Sequence, residues 1–243
     1  TALVLIALMM FFAYMFVDVL SPLSTLLETS KGWSAETYGT FCSSEYFLNV
    51  FAFFLIFAGI ILDKMGIRFT GLLSASLMVI GGGIKFYAVR YFLIGSGFEA
   101  WLNSWWVALP ATAKLACFGF MIFGCGCEMA GTTVSKAIAK WFKGKEMAMA
   151  MGLEMSIARL GVFAAMWLSP FVYEKFNNVI SAPVAFGAAL LCIGLIFYTV
   201  FVFMDRKLDK ELTAAGEVTE ESSEEGAIAP NHTIILTFLS LYE

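Results

Sequence analysis

Three of the ionisable side chains inside the long apolar runs of the sequence stand out: Glu45, Glu128 and Arg159. An ionised group at the centre of an apolar medium costs a few kcal/mol or more, and it is accommodated where it faces a cavity or a charged partner. We therefore interpret all three as candidate site residues, whose chemistry is the binding or balancing of charge.

The chemistry open to Glu128 and Arg159 depends on how deep they lie. Arg159 is about twelve residues from the start of its run and Glu128 about seven from the end of its own, which is about 18 Å and about 10 Å along a helix. One interpretation is a buried ion pair that joins two helices. In the other, Arg159 binds a carboxylate through two hydrogen bonds while Glu128 holds an ammonium group, an arrangement that suits a zwitterion. Both interpretations hold if Glu128 and Arg159 pair with each other in the empty protein and a bound zwitterion then replaces each of them as the partner of the other.

A second group of candidate site residues lies in the second apolar run. We predict that Glu45, Tyr46 and Asn49 bind the solute together with Glu128 and Arg159. Glu45 is deep enough for proton coupling or for solute binding, and a polar cavity wall is an equal alternative. Tyr14, Tyr46 and Asn49 are expected to supply hydrogen-bonding groups to the same cavity.

Six apolar blocks position these side chains. Hydrophobic residues are 60% of the chain and charged residues only 14%, whereas a soluble domain has about a quarter charged residues. Blocks of about 20 residues match the thickness of a bilayer. We predict an all-α membrane protein in which residues 1–204 form a six-helix bundle, with spans near 2–20, 41–62, 70–92, 115–135, 147–169 and 183–204. The acidic residues 205–243 are expected to form a cytoplasmic linker and tail.

The Lys and Arg residues predict the orientation, because cytoplasmic loops hold an excess of them. Nine of these residues follow blocks two, four and six, and five lie on the opposite side; the five are Lys31, Lys85, Arg90, Lys114 and Lys175. Both termini are therefore expected in the cytoplasm. A bacterial inner membrane is preferred over an organelle membrane.

The sequence carries no signature of a catalytic or metal site. The five cysteines lie in or beside apolar blocks, as packed free thiols do, and His232 is the single histidine. No nucleophile motif or histidine cluster is present. We expect no catalytic residue, no metal, no cofactor, no enzymatic activity and no nucleic-acid partner.

A charged motif joins the second and third blocks. The segment 59–68, GIILDKMGIR, resembles the loop motif of the major facilitator superfamily, Gly-x-x-x-Asp-Arg/Lys-x-Gly-Arg-Arg/Lys, with Ile67 in place of a basic residue. Gly59 is expected to permit a close helix approach and Gly66 a positive φ in the turn. The resemblance implies that the chain is the N-terminal half of a twelve-helix carrier and that Asp63, Lys64 and Arg68 form a gate. The alternative is that Lys64 and Arg68 only set the topology.

A closer resemblance covers roughly residues 40–165. The runs WFKGKE at 141–146 and GLEMSIARLG at 152–161 resemble the lysosomal dipeptide transporter branch of that superfamily and its bacterial relatives. The resemblance implies that Glu128 and Arg159 bind the amino and carboxylate ends of a dipeptide, and that transport is uniport by alternating access. It also implies a missing C-terminal half, or a second copy, as partner. The alternatives are a non-transporting membrane subunit or scaffold, and a carrier of a different organic anion.

Overall fold

A computed structural model describes residues 1–90, 95–105, 107–142 and 145–214, and these residues are predominantly helical. Five helical segments in the described part are long and apolar enough to cross a bilayer: Ala2–Lys31, Phe54–Arg90, Ala111–Trp141, Glu146–Lys175 and Ser181–Thr213. The predicted class, an all-α membrane protein, is confirmed. The helices are α1 (Ala2–Val17), α2 (Ser24–Lys31), α3 (Ala35–Phe51), α4 (Phe54–Arg90), α5 (Gly97–Asn103), α6 (Ala111–Trp141), α7 (Lys145–Lys175) and α8 (Ser181–Ala214).

The second apolar block, residues 41–62, is divided between α3 and α4. The helix is interrupted at Ala52 and Phe53, which separate α3 from α4. Phe53 has a φ of 51°, and this left-handed conformation costs a non-glycine residue about 1–2 kcal/mol. α4 turns again at Gly66, whose φ of 70° and ψ of 173° separate residues 54–65 from 67–90. The positive φ expected at Gly66 is confirmed. The two parts of α4 thus belong to the second and third blocks.

Two close helix crossings bring the candidate site residues together. A Cβ atom added to Gly124 of α6 would overlap the carbonyl oxygen of Glu45 in α3, and one added to Gly161 of α7 would overlap the carbonyl oxygen of Phe11 in α1. Because glycine has no side chain, the backbones meet directly at both points. The first crossing places Glu45 one turn from Glu128 along α6, and the second places Arg159 beside α1.

Aromatic rings fill the space between α1, α3 and α6. The rings of Phe41 and Phe120 stack with centroids 4.7 Å apart, and the centroids of Phe16 and Phe123 are 5.1 Å apart. Lys85 of α4 points into this layer and is fully buried. Lys85 was counted above among the residues of the outer side; its ammonium group instead lies inside the bundle.

Gly59 is not a point of close helix approach within the described residues, because a Cβ atom there would meet no described atom within 4 Å. The close approach in this region lies at Gly71, where the ring of Tyr198 from α8 occupies the space that a side chain would fill.

The packed bundle comprises Thr1–Val202, and Phe203–Glu243 forms a separate unit. The described residues of the second unit are helical to Ala214, with an ion pair between Lys207 and Glu211 at 3.7 Å. The rest of the expected tail, residues 215–243, lies outside the described residues.

Candidate functional site

Tyr14 on α1 interacts with both of the predicted charged residues, Arg159 and Glu128. The guanidinium carbon of Arg159 lies 5.0 Å from the centroid of the Tyr14 ring, within the range of a cation–π contact. The charge of Glu128 also acts on the Tyr14 hydroxyl, as does that of Glu154. The site therefore lies where α1, α6 and α7 meet.

Glu128 and Arg159 do not form an ion pair with each other. Ion pairs elsewhere in the described residues include those of Lys136 with Asp63 and of Lys207 with Glu211. Glu128 is half-buried and Arg159 is exposed. Arg159 contacts the Tyr14 ring, and the charge of Glu128 acts on the same residue, so that one guanidinium and one carboxylate lie near Tyr14 and are available to the two opposite charges of one small solute.

The residues predicted on α3 divide into two that are buried and one that is exposed. Glu45 and Asn49 are 5% and 7% exposed and lie one turn apart, whereas Tyr46 is 50% exposed. The charges of both Glu45 and Glu128 act on the Tyr46 hydroxyl. The structure therefore brings the α3 residues close to Glu128.

Asn49 has an unused hydrogen-bond acceptor. Its side-chain nitrogen donates to the Glu45 carbonyl oxygen at 3.4 Å, while its Oδ1 atom is buried without a partner among the described residues. A buried acceptor with no donor costs about 1–3 kcal/mol. Asn49 therefore retains one hydrogen-bond acceptor that no described residue uses.

The residues of the charged motif lie apart from this site, around the turn at Gly66. The Asp63 Oδ1 atom pairs with Lys136 Nζ of α6 at 3.0 Å, Lys64 is exposed and Arg68 is half-buried. Ile67, which replaces the basic residue of the motif, is only 1% exposed, and its carbonyl oxygen accepts a hydrogen bond from the Tyr198 hydroxyl at 2.8 Å. The turn is therefore held by α8 as well as by an ion pair to α6.

An apolar groove of about 340 Å³ lies between α4, α5 and α6 and contains none of the predicted site residues. Its walls are Ile80, Gly83, Ile84, Tyr87, Phe98, Leu115 and Phe118. Since these walls offer almost no polar group, the groove is not suited to a zwitterion.

Sequence reasoning did not assign a site role to two residues: Lys85 in the aromatic layer and Lys136 at the turn around Gly66. Both lie near helix ends, where basic residues are common, so residue type gives no signal that separates them from their neighbours. Tyr14 was predicted as a hydrogen-bonding group of the cavity, and the contact of its ring with Arg159 was not predicted.

Comparison with known proteins gives a consistent result. The family model for the Major Facilitator Superfamily matches residues 6–242. A Danio rerio protein named Lysosomal dipeptide transporter MFSD1 is 32% identical over 183 residues, which are 70% of this chain and 35% of that protein. Proteins of the same name from Pongo abelii and Homo sapiens are each 26% identical over 176 residues, 67% of this chain and 34% of theirs. The chain thus spans about a third of the length of these curated relatives. No solved structure matches it.

Proposed function

The chain belongs to the Major Facilitator Superfamily, and on that premise we propose that it acts as the N-terminal half of a carrier for a small zwitterionic solute of the dipeptide class. The observation that carries the proposal is the contact of Arg159 with the Tyr14 ring, on which the charge of Glu128 also acts. The names of the curated relatives, which are dipeptide transporters, support the same class of solute.

The solute binds with its carboxylate on Arg159 and its ammonium group on Glu128. Guanidinium and carboxylate form two parallel hydrogen bonds, which orient the solute as well as hold it. Asn49 accepts a hydrogen bond from the ammonium group or the adjacent amide, and Tyr46 and Glu45 complete the wall of the cavity. Each of the two charges then has a partner of opposite sign in the bound solute.

Transport follows by alternating access, which needs two bundles that rock about a site between them. This chain supplies one bundle, residues 1–204, and we propose that a C-terminal half or a second copy supplies the other. No ion is required for the exchange if the solute neutralises both charges, which supports uniport. The linker and tail at 205–243 connect the bundles on the cytoplasmic side.

The turn around Gly66 acts as the cytoplasmic gate in this proposal. Asp63, Lys64 and Arg68 lie in or beside it, and the ion pair of Asp63 with Lys136 connects the turn to α6, the helix that carries Glu128. A change in the turn can therefore be transmitted along α6 to the site. Gly59 belongs to the same motif and is open to a helix from outside the described residues, since no described atom lies within 4 Å of a Cβ atom there.

The choice of membrane and the orientation of the chain in it are inferred from the sequence alone. The excess of Lys and Arg in the connectors after blocks two, four and six supports cytoplasmic termini. The curated relatives are named as lysosomal proteins, while the preference for a bacterial inner membrane stays a prediction.

The proposal is tested by thermal-shift titration of the purified chain, alone and joined to a C-terminal half, because a ligand that binds the native state raises its unfolding temperature. We expect stabilisation by L-alanyl-L-alanine that Glu128→Gln and Arg159→Gln each remove. Each variant loses a charge-assisted contact, which is about 1.5–3 kcal/mol or about tenfold or more in affinity.

Two exposed residues provide matched controls: Glu36→Gln for the acid and Arg206→Gln for the base. Both are expected to bind the dipeptide as the unchanged chain does. If neither site variant weakens binding, the proposed roles of Glu128 and Arg159 are wrong. If no dipeptide or amino acid stabilises the unchanged protein in either form, the solute belongs to another class, such as a different organic anion.

A further inference from the structure

Lys85 is a charge inside the bundle that the proposed function does not use. It lies in the second part of α4, is fully buried, and donates one hydrogen bond, to the carbonyl oxygen of Phe16 at 3.3 Å. Three rings from three different helices surround its ammonium group. The Nζ atom is 4.2 Å from the ring centroid of Phe120, 4.6 Å from that of Phe16 and 5.1 Å from that of Phe41.

The surrounding rings place Lys85 next to Glu45. Phe41 lies one turn before Glu45 on the buried face of α3, and Phe120 lies one turn before Gly124, which meets the Glu45 carbonyl oxygen. Lys85 therefore points into the space between α3 and α6, on the side of α3 that carries Glu45. The charges of the two side chains act on each other.

Other carboxylates near Lys85 are less suited to neutralise it. Asp18 also acts on Lys85 electrostatically, but its carboxylate already accepts a hydrogen bond from Ser21 at 2.9 Å and is only half-buried. Glu45 is 5% exposed. Since charge interactions strengthen as water is excluded, the buried Glu45 is the principal countercharge.

The net charge of the site depends on whether Lys85 and Glu45 neutralise each other. Glu45 and Lys85 cancel, and Glu128 and Arg159 cancel, so the four residues together present no net charge to a solute. These two pairs of opposite charges match a solute that is itself neutral overall but carries both charges, and Glu154, whose charge also acts on Tyr14, is a further carboxylate beside them.

We propose that Lys85 neutralises Glu45 and thereby sets the net charge of the solute that the cavity accepts. Lys85 acts as a specificity-determining residue without contact to the solute. The proposal rests on the proposed function, since it concerns solutes bound at Glu128 and Arg159. It assigns to Glu45 the role of a countercharge within the protein.

The test compares three probes: L-alanyl-L-alanine, which is neutral overall, L-lysyl-L-alanine, which carries one positive charge, and L-alanyl-L-glutamate, which carries one negative charge. Apparent dissociation constants come from thermal-shift titrations of the full chain, alone and joined to a C-terminal half. The informative quantity is the ratio of affinities for a charged and the neutral dipeptide, because any general loss of binding cancels in it. Glu154 is present in every variant, so its effect on this ratio is the same in all of them.

Removal of either member of the pair shifts selectivity, in opposite directions. Lys85→Met keeps a flexible side chain among the rings and leaves Glu45 uncompensated, so the preference for lysyl-alanine over alanyl-alanine rises by about tenfold. Glu45→Gln leaves Lys85 uncompensated and raises the preference for alanyl-glutamate by a similar factor. The double variant restores the original ratios within about twofold. Lys85→Arg, which retains the charge, leaves them unchanged.

The outcomes separate this proposal from the one on which it rests. If the unchanged protein binds none of the three dipeptides, the proposed function is wrong and this inference is overturned with it. If it binds them but the ratios stay constant in Lys85→Met and Glu45→Gln, only the role of Lys85 is overturned. If Lys85→Met does not yield folded protein, Glu45→Gln and Lys85→Arg decide the question alone.

Discussion

Tyr14 contacts Arg159 through its ring, and the charge of Glu128 acts on its hydroxyl group. Its contact with Arg159 at 5.0 Å contributes about 0.5–2 kcal/mol, depending on how far the pair is removed from water. The contact also limits the conformations of a long side chain that otherwise pays a large entropy cost on binding. Tyr14 is therefore expected to preorganise Arg159 for a carboxylate.

Replacement of Tyr14 separates the role of the ring from that of the hydroxyl. Tyr14→Leu removes the ring and is expected to weaken alanyl-alanine binding by about two- to fivefold, the factor that about 0.5–1 kcal/mol represents. Tyr14→Phe keeps the ring and is expected to bind nearly as the unchanged chain does. The measurement is the apparent dissociation constant from thermal-shift titration. Equal affinities for the Leu and Phe variants would contradict a preorganising contact.

At this scale the sequence predicts charged site residues better than their partners. Glu45, Glu128 and Arg159 are conspicuous because an ionisable group in an apolar run needs a physical reason. Tyr14 is predicted as a hydrogen-bonding group and not as a ring partner of Arg159, and Lys85, five residues before the end of α4, has the sequence position of an interfacial lysine. Which side chains meet is decided by helix crossings, which the residue types alone do not fix.

The crossing of α3 and α6 is the element that sets the distance between Glu45 and Glu128. Gly124→Ala is expected to destabilise the protein by about 1–3 kcal/mol, because the new methyl group overlaps the Glu45 carbonyl oxygen and forces the helices apart. The measurement is the free energy of unfolding in detergent. Gly131→Ala on the same helix is the matched control, since a Cβ atom there meets nothing within 4 Å.

The two alanine variants should differ in sign. Gly131→Ala gains up to about 1 kcal/mol from the better helix propensity of alanine, and the same gain is overridden by the overlap at Gly124. If both variants are equally stable, α3 and α6 do not cross as closely as the structure describes.

At the scale of helices, the hydrophobic pattern predicts that membrane-spanning helices exist and that the fold is all-α, but it does not predict where a helix is interrupted. Apolar blocks of about 20 residues indicate membrane spans because the bilayer fixes that length. The break at Ala52 and Phe53 was not predicted, since neither glycine nor proline marks it. The turn at Gly66 was predicted, because a glycine within a charged motif marks a positive φ.

For the whole molecule, the turn at Gly66 connects local chemistry with the movement of two bundles. The carboxylate of Asp63 is 76% exposed and the amine of Lys136 is 34% exposed, and an exposed ion pair contributes about 0–1 kcal/mol to stability. A contribution of that size matters little to folding. It matters to transport, because a difference of about 1 kcal/mol between two conformations changes their ratio about fivefold.

Asp63→Asn is therefore expected to affect transport without affecting stability. The midpoint of thermal unfolding should shift by less than about 4 °C, while the exchange of alanyl-alanine across liposomes, measured on the chain joined to a C-terminal half, should change about fivefold as the cytoplasmic gate loses a contact in one conformation. Glu211→Gln breaks another exposed ion pair, with Lys207 at 3.7 Å, and serves as the control. Unchanged exchange in both variants would mean that Asp63 and Lys136 stabilise neither conformation over the other, and the charges of the motif would then be left with the setting of topology alone.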